Sequence, residues 1–413
     1  MQSRLRGRGH AGEGCSVLYR PEAFDSLTER PWDEDWVRGE IARIVADADA
    51  NYDPAALWPG EEWDSWQTPT PLKALYVGGA GVVWALGALQ RRGHAESRLD
   101  LAEAARNVHE AWRTEPDYMN GIQLPSPARA GLLGGEAGIL VVAWLLSPDD
   151  ELVETLYERV IENTANDANE LMWGSPGTML AAHVMHERTG DERWAKAWRE
   201  SADELLRRRD GDGLWTIDMY GETARGIGPA HGVVGNVLSL RQGLDASRRG
   251  ELERETAAVL SRTAVVEDRL ANWPNHADGA LESREGEIRL QWCAGAPGVV
   301  ISASEYLDDE LLLAGAELIW QAGPHGDEKG ASICHGTAGN GYALLKTFER
   351  TGDERWLERA RRFAVHALEQ AVRLEATRGR RRYSLWTGDV GAALFAADCL
   401  QARARYPILD TWE

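Results

Sequence analysis

Apolar residues along this chain fall into short, almost unbroken runs, and each run follows a glycine-rich turn. Tyr76-Val77-Gly78-Gly79-Ala80-Gly81 opens the first, and Leu133-Gly134-Gly135-Glu136-Ala137-Gly138 the second. Met172-Trp173-Gly174-Ser175-Pro176-Gly177, Ala230-His231-Gly232-Val233-Val234-Gly235 and Cys293-Ala294-Gly295-Ala296-Pro297-Gly298 follow. Cys334-His335-Gly336-Thr337-Ala338-Gly339 and Trp386-Thr387-Gly388-Asp389-Val390-Gly391 complete the series. Seven copies at intervals of roughly 40 to 60 residues define a repeat architecture. Behind each turn the run is small and apolar on every side, as in 82–89 and 299–304, the pattern of a helix buried all round.

A second internal match sets the register within a repeat. Glu187-Arg188-Thr189-Gly190-Asp191-Glu192-Arg193-Trp194 recurs as Glu349-Arg350-Thr351-Gly352-Asp353-Glu354-Arg355-Trp356, at the same distance behind its own glycine turn. Gly190 and Gly352 read as helix C-caps, and the Asp that follows each opens another helix. That second helix is amphipathic, with Trp194, Trp198 and Leu205 on one face and Glu and Arg on the other. Each repeat is therefore a turn, an inner helix, a cap and an outer helix. Seven such units predict an all-α fold, an (α/α)7 toroid with a ring of inner helices inside a ring of outer ones.

The first 65 or so residues carry no such repeat. Positions 34–48 predict one amphipathic helix with Val37, Ile41, Ile44 and Val45 on one face. Residues 1–20 are expected to be a flexible tail, and 21–413 one toroid domain with its repeats starting near 70. The toroid uses up the chain, so no fused dehydratase domain is expected.

Charge and cysteine usage narrow the function. A net charge of −21 with no long Lys/Arg block excludes a nucleic-acid partner. The most apolar stretch, 130–146, contains four glycines and Glu136, too short and too polar to span a bilayer. Of the four cysteines, Cys15 and Cys399 show no pairing pattern, which points to a reduced, cytoplasmic protein. The other two, Cys293 and Cys334, stand in equivalent positions before two glycine turns, and His335 follows the second.

In a toroid, the turns that precede the inner helices gather at one end around the central cavity. This brings Cys293, Cys334, His335 and His231 together from distant parts of the sequence. Two thiols and an imidazole suit Zn²⁺ and leave its fourth position open. Two Cys and one neutral His give a zero-charge site, better matched to a substrate thiol than to water activation. His231 shares the register of His335 and is predicted to face the same cavity free of the metal, as an acid/base. It would protonate the α-carbon of the enolate formed when a thiolate adds to an unsaturated acyl group. Arg289, four residues before Cys293, is placed to stabilise that enolate or to hold a carboxylate.

Trp292 is expected to wall the pocket. His183 and His186, three apart on a helix with no third ligand, read as ordinary helix residues. Glu136 and Asp389 fit either a glycosidase-like carboxylate pair or exposed first-turn acids suited to helix N-termini, and the second reading is preferred.

The blocks Trp292-Cys293-Ala294-Gly295-Ala296-Pro297-Gly298, Ile333-Cys334-His335-Gly336-Thr337-Ala338-Gly339-Asn340 and Ala230-His231-Gly232 resemble those of the lanthionine synthetase C family, over about residues 70–400. The resemblance implies zinc on Cys293, Cys334 and His335. It also implies thiol addition to dehydroalanine or dehydrobutyrine in peptides, with His231 as the acid/base. The partners implied are a dehydrated peptide or protein made by a separate dehydratase or kinase, and a thiol from peptide Cys or from glutathione. Bacterial cyclases of this family carry an Asp shortly before the second glycine motif, whereas Pro127-Ala128-Arg129-Ala130-Gly131-Leu132-Leu133 holds no acid. The residue after the first zinc Cys is Ala294 rather than the usual His or Tyr. In both respects the sequence is more similar to the LanC-like branch, associated with glutathione addition, than to ring-closing cyclases. Two other readings compete: a non-catalytic zinc- and thiol-binding protein, and a glycosidase on a similar toroid.

Overall fold

The computed structural model describes residues 18–65, 70–118, 128–283 and 286–413. Every one of the seven glycine turns delivers an inner helix. These are Gly79–Arg91, Glu136–Leu146, Ser175–Thr189, Val233–Arg241, Ala296–Ala303, Thr337–Thr351 and Asp389–Gln401. Each packs on the next, and the last packs on the first, so the ring closes. The outer helices Leu101–Thr114, Asp150–Asn163, Glu192–Arg207, Ala246–Thr263, Asp309–Ala322 and Glu354–Arg378 each lie against the inner helix that precedes them. The seventh outer position is filled by Glu34–Ala50, which packs on Asp389–Gln401. Its Val37, Ile41, Ile44 and Val45 are buried there, on the face the sequence pattern marks.

The two rings differ in how their helices start. All seven outer helices have an Asp N-cap (Asp33, Asp100, Asp149, Asp191, Asp245, Asp308 and Asp353) whose carboxylate accepts from the first-turn backbone. All seven inner helices have a Gly at that place and no side-chain cap. There the turn folds so closely onto the first helical residues that side chains have no room. A Cβ on Gly298 would strike the carbonyl of Trp292, and one on Gly339 the carbonyl of Ile333.

The close turns also join repeat to repeat. The backbone N–H of Trp292 donates to Cys334 O (2.9 Å), Cys334 N–H to Trp386 O (2.8 Å), and Trp386 N–H to Tyr76 O (3.1 Å). Tyr76 N–H then donates to Leu133 O (2.9 Å) and Leu133 N–H to Met172 O (3.2 Å). Apart from Trp292, which stands one residue before the equivalent Cys293, the arc fixes equivalent positions of successive turns side by side at one end of the barrel.

Gly190 and Gly352 cap their inner helices in the left-handed conformation, both with φ 66°. The two glycine roles have different consequences. Gly339→Ala drives a methyl into backbone and is expected to cost about 3 kcal/mol, as overpacking does. Gly190→Ala meets no atom within 4 Å and is expected to cost only about 1 kcal/mol of left-handed strain. Urea unfolding midpoints of the two variants test that ranking.

Several local features depart from the sequence expectations. Two short antiparallel hairpins interrupt the helical pattern: β1 (Ile217–Met219) with β2 (Glu222–Ala224), and β3 (Val265–Glu267) with β4 (Leu270–Asn272). Residues 1–17 of the expected tail lie outside the described residues. Leu18 is buried and its carbonyl accepts from Asn272 Nδ2 at 2.9 Å, while Arg20 Nε donates to Gly286 O at 3.1 Å. No helix among the described residues is long and apolar enough to cross a membrane.

Glu136 and Asp389 do open inner helices, but they are buried, not exposed. Arg159 Nε approaches Glu136 to 2.8 Å, and Arg129 and His109 add to it. Burial acts to raise its pKa, but those partners prevail and hold it at about 2. Arg381 lies 3.9 Å from Asp389, where burial dominates and lifts the carboxyl to about 6. Each acid is matched by an arginine from a neighbouring element, which lets it occupy a helix start inside the wall.

Candidate metal centre and cavity

At the end of the barrel where the turns converge, a cavity of about 930 Å³ opens. Cys293, Cys334 and His335 offer ligand atoms that all lie within 4.8 Å of one another. Ligand distances of about 2.0–2.3 Å place such a trio within reach of a single Zn²⁺. Cys293 and His335 line the cavity, and Cys334 is fully buried behind them. The donor set therefore fits a soft metal ion with one side turned to the cavity.

The surroundings hold these donors in place. The Tyr76 hydroxyl donates to Cys334 Sγ at 2.9 Å, and Gln291 Nε2 to Cys293 Sγ at 2.8 Å. Tyr76 holds the same register in its repeat as the two cysteines do in theirs. The two thiols titrate as a pair. A hydrogen bond from Cys334, with His335 and Gln291 adding to it, holds Cys293 well below the usual thiol range despite burial. Burial, and then the negative charge of Cys293, push Cys334 well above it.

Trp292 does not wall the pocket. It is completely buried below the centre, stacked on Tyr406 (5.7 Å between ring centres) and tilted against Trp386 (4.5 Å). Tyr342 and Trp386 also pack on Tyr406, whose hydroxyl donates to Ile333 O at 2.8 Å. These rings form an apolar floor under the metal-binding residues. Position 292 faces the floor because its backbone N–H is committed to Cys334 O.

His231 does line the cavity, with about a third of its side chain exposed (37%). Its Nδ1–H donates to Glu170 Oε2 at 2.7 Å, which leaves Nε2 as the atom free for chemistry. Glu170 is fully buried. Its oxygens also accept from the backbone N–H groups of Met172 (2.9 Å), Trp173 (2.6 Å) and Gly174 (3.1 Å), so one carboxylate fixes both a turn and an imidazole. An acid thus stands before the third glycine motif, although 127–133 before the second holds none. Glu170 stands four residues before Gly174, where Gln291 stands before Gly295, so the register held a signal for it.

Arg289 reaches the cavity, with Nε 3.8 Å from Glu287. Arg20 and Lys329 add positive charge to the lining, and His276 and His325 are two further imidazoles there. His183 and His186, on Ser175–Thr189, pair with Glu187 and the Asp191 carbonyl and stay outside the metal group. Glu136 and Asp389 do not line the cavity, so the carboxylate pair weighed for glycosidase chemistry is not assembled there. Cys399 is buried in the seventh inner helix. Cys15 lies outside the described residues.

His325 carries a pH prediction. It is buried, packs on Phe24 (4.6 Å between ring centres), and Nε2–H donates to Leu290 O at 2.9 Å. Burial drives its pKa down to about 4. The folded chain keeps it neutral while the unfolded chain protonates it below about 6.5. Its contribution is therefore present above pH 6.5 and lost as pH falls from 6.5 to 4, about 3 kcal/mol in all. Metal-stripped wild type is expected to lose more stability than His325→Gln between pH 7 and pH 4.5 in urea titrations. Equal losses would contradict this.

A double helical ring with a soft three-donor centre at its converging turns defines a class, and comparison with known proteins gives the family. The family profile of lanthionine synthetase C-like proteins matches residues 64–410, and the chain belongs to that family. It is 28% identical over 330 residues to "Glutathione S-transferase LANCL1" of Danio rerio, covering 71% of this chain and 77% of that protein. It is 31% identical over 133 residues to "LanC-like protein GCL1" of Arabidopsis thaliana, 29% of this chain and 30% of the relative. Among solved structures, nisin cyclase superposes with a TM-score of 0.58 at 15% identity, covering 91% of this chain and 98% of its own. That likeness concerns the fold, and it agrees with the α/α toroid.

Proposed function

We propose that this chain is a zinc enzyme that adds a thiol to dehydroalanine or dehydrobutyrine residues of a peptide, with glutathione as the favoured thiol. The observation that carries the reading is the joint placement of Cys293, Cys334 and His335 with the Glu170–His231 pair on one cavity. Zinc held by the three donors would lower the pKa of a substrate thiol so that it reacts as a thiolate at neutral pH. In the reaction the thiolate sulfur forms a bond to the β-carbon and the carbon–carbon π bond breaks. Its electron pair passes into the adjoining carbonyl as an enolate. Nε2 of His231 takes up the proton released by the thiol and gives it to the α-carbon, so the addition balances. Glu170 steadies the imidazolium through Nδ1 and keeps the ring turned to the cavity. Arg289 is assigned to the developing enolate oxygen.

The cavity volume lies near the top of the ~300–1,000 Å³ range of ligand pockets, in keeping with a thiol and a short peptide segment as its occupants. Arg20, Arg289 and Lys329 in its lining suit the carboxylates of glutathione, and Glu22, Glu222, Glu287, Asp327 and Glu328 in the same lining suit its ammonium group. The name of the zebrafish relative points to the same thiol. A dehydroalanine peptide incubated with glutathione and the purified protein is expected to gain one glutathione by mass spectrometry, faster than without protein. Adduct formation at the uncatalysed rate would sink the reading.

A further inference from the structure

The hairpin that overhangs His231 holds a residue where turn chemistry disfavours it. Met219 of β1 pairs with Glu222 of β2, so Tyr220-Gly221 is a two-residue turn. Both turn residues have positive φ, 54° at Tyr220 and 79° at Gly221. That geometry is the hairpin turn in which Asn-Gly or Asp-Gly is preferred, and a bulky residue at φ > 0 is an outlier. Strain of this kind persists only where the surroundings hold it, and it gathers at functional sites.

Two contacts hold Tyr220. Trp173 Nε1–H donates to the Tyr220 hydroxyl at 2.7 Å. The Tyr220 ring stands edge-on to the His231 imidazole, 6.0 Å between centres at 89°. About 40% of the Tyr220 surface is exposed, so the ring is held through its hydroxyl and its edge-on contact rather than by enclosure. Trp173 is itself fixed. It is fully buried, meets Tyr118 edge-on at 5.9 Å, and lies where a side chain on Gly134 would have to sit. Its backbone N–H donates to Glu170 Oε1, while Glu170 Oε2 holds His231. Trp173, Tyr220, His231 and Glu170 thus close a four-membered network that grips the imidazole at Nδ1 and along its ring.

We propose that Tyr220 is a positioning residue for His231, setting the ring orientation that points Nε2 into the cavity. The kinetic part of this proposal rests on His231 being the acid/base of the reaction above; the orientation itself does not. Tyr220→Asn and Tyr220→Phe test it together. Asn suits the turn, so Tyr220→Asn is expected to melt no lower than wild type and to keep its zinc. Its kcat is expected to fall about tenfold, the upper value of an edge-on aromatic contact, with KM for glutathione unchanged. Tyr220→Phe keeps the ring and is expected to stay within about threefold of wild type.

The orientation is read separately from the imidazole 15N shifts of His231, assigned against His231→Ala. Wild type and Tyr220→Phe are expected to show one tautomer with the proton on Nδ1, and Tyr220→Asn an averaged imidazole. Unchanged His231 shifts in Tyr220→Asn would overturn the proposal. So would a Tyr220→Asn protein that loses melting temperature and zinc along with rate, since the hairpin would then be structural alone. Absence of turnover in wild type would defeat the proposed reaction, and the 15N comparison would still decide the role of Tyr220.

Discussion

Cys334→Ala is expected to yield a folded protein that gives up its zinc to a chelator the wild type resists, and that shows no turnover. Binding of structural zinc is worth about 10–16 kcal/mol over four ligands, so one ligand contributes roughly 3 kcal/mol, on the order of a hundredfold in affinity. Cys334 is the fully buried member of the trio, with Tyr76 bonded to its sulfur. Its loss leaves Cys293 and His335, two donors on two separate turns, which no longer enclose an ion. The helices should persist, because the backbone bonds of Cys334 to Trp386 and Trp292 do not involve the side chain. Cys399→Ala is the matched control, since it removes an equally buried thiol from an inner helix and should keep its metal. Metal analysis of the three proteins after exposure to that chelator, with circular dichroism to monitor the fold, checks the expectation. Zinc retained by Cys334→Ala as fully as by wild type would contradict the assigned donors.

His231→Ala is expected to do the opposite, keeping zinc and fold while losing about 10²–10⁴-fold in kcat, the usual scale of a general acid/base. KM for the thiol should change little, because the thiol is bound at the other donors. Glu170 should behave differently from its partner. Its carboxylate accepts from three backbone N–H groups as well as from His231, so Glu170→Ala removes a turn anchor and an orienting group together. A loss of both stability and rate in Glu170→Ala, against rate alone in His231→Ala, separates the two roles by melting curves and steady-state kinetics.

Much of this arrangement was legible in the sequence because the repeat is local. The Gly turns and Gly190/Gly352 caps act within a few residues of themselves, so their spacing reports the inner helices directly. The register that aligned Cys293 with Cys334, and His231 with His335, followed from the same turns. What escaped depended on partners far along the chain. Glu34–Ala50 was readable as a helix, but its place as the seventh outer member comes from packing on residues more than 300 positions away. Glu170 is not marked by its own neighbours, because its pairing with His231 spans 61 residues. The register position that Gln291 occupies in its own repeat was the available clue. Tyr220 lies in the turn between two strands of three residues each, too short for periodicity to show. Trp292 and the acids Glu136 and Asp389 were placed in the right turns but on the wrong side of them. The backbone ring turns Trp292 to the floor, and arginines from other elements admit the acids to the interior.

The central claim is that thioether formation depends on zinc at Cys293, Cys334 and His335. The most direct measurement is the rate of glutathione addition to a dehydroalanine peptide by wild-type protein as purified, after exhaustive chelation, and after zinc is returned. Turnover that vanishes with the metal and recovers with about one zinc per chain is the expected result. A metal-free protein that works at the full rate would contradict the account.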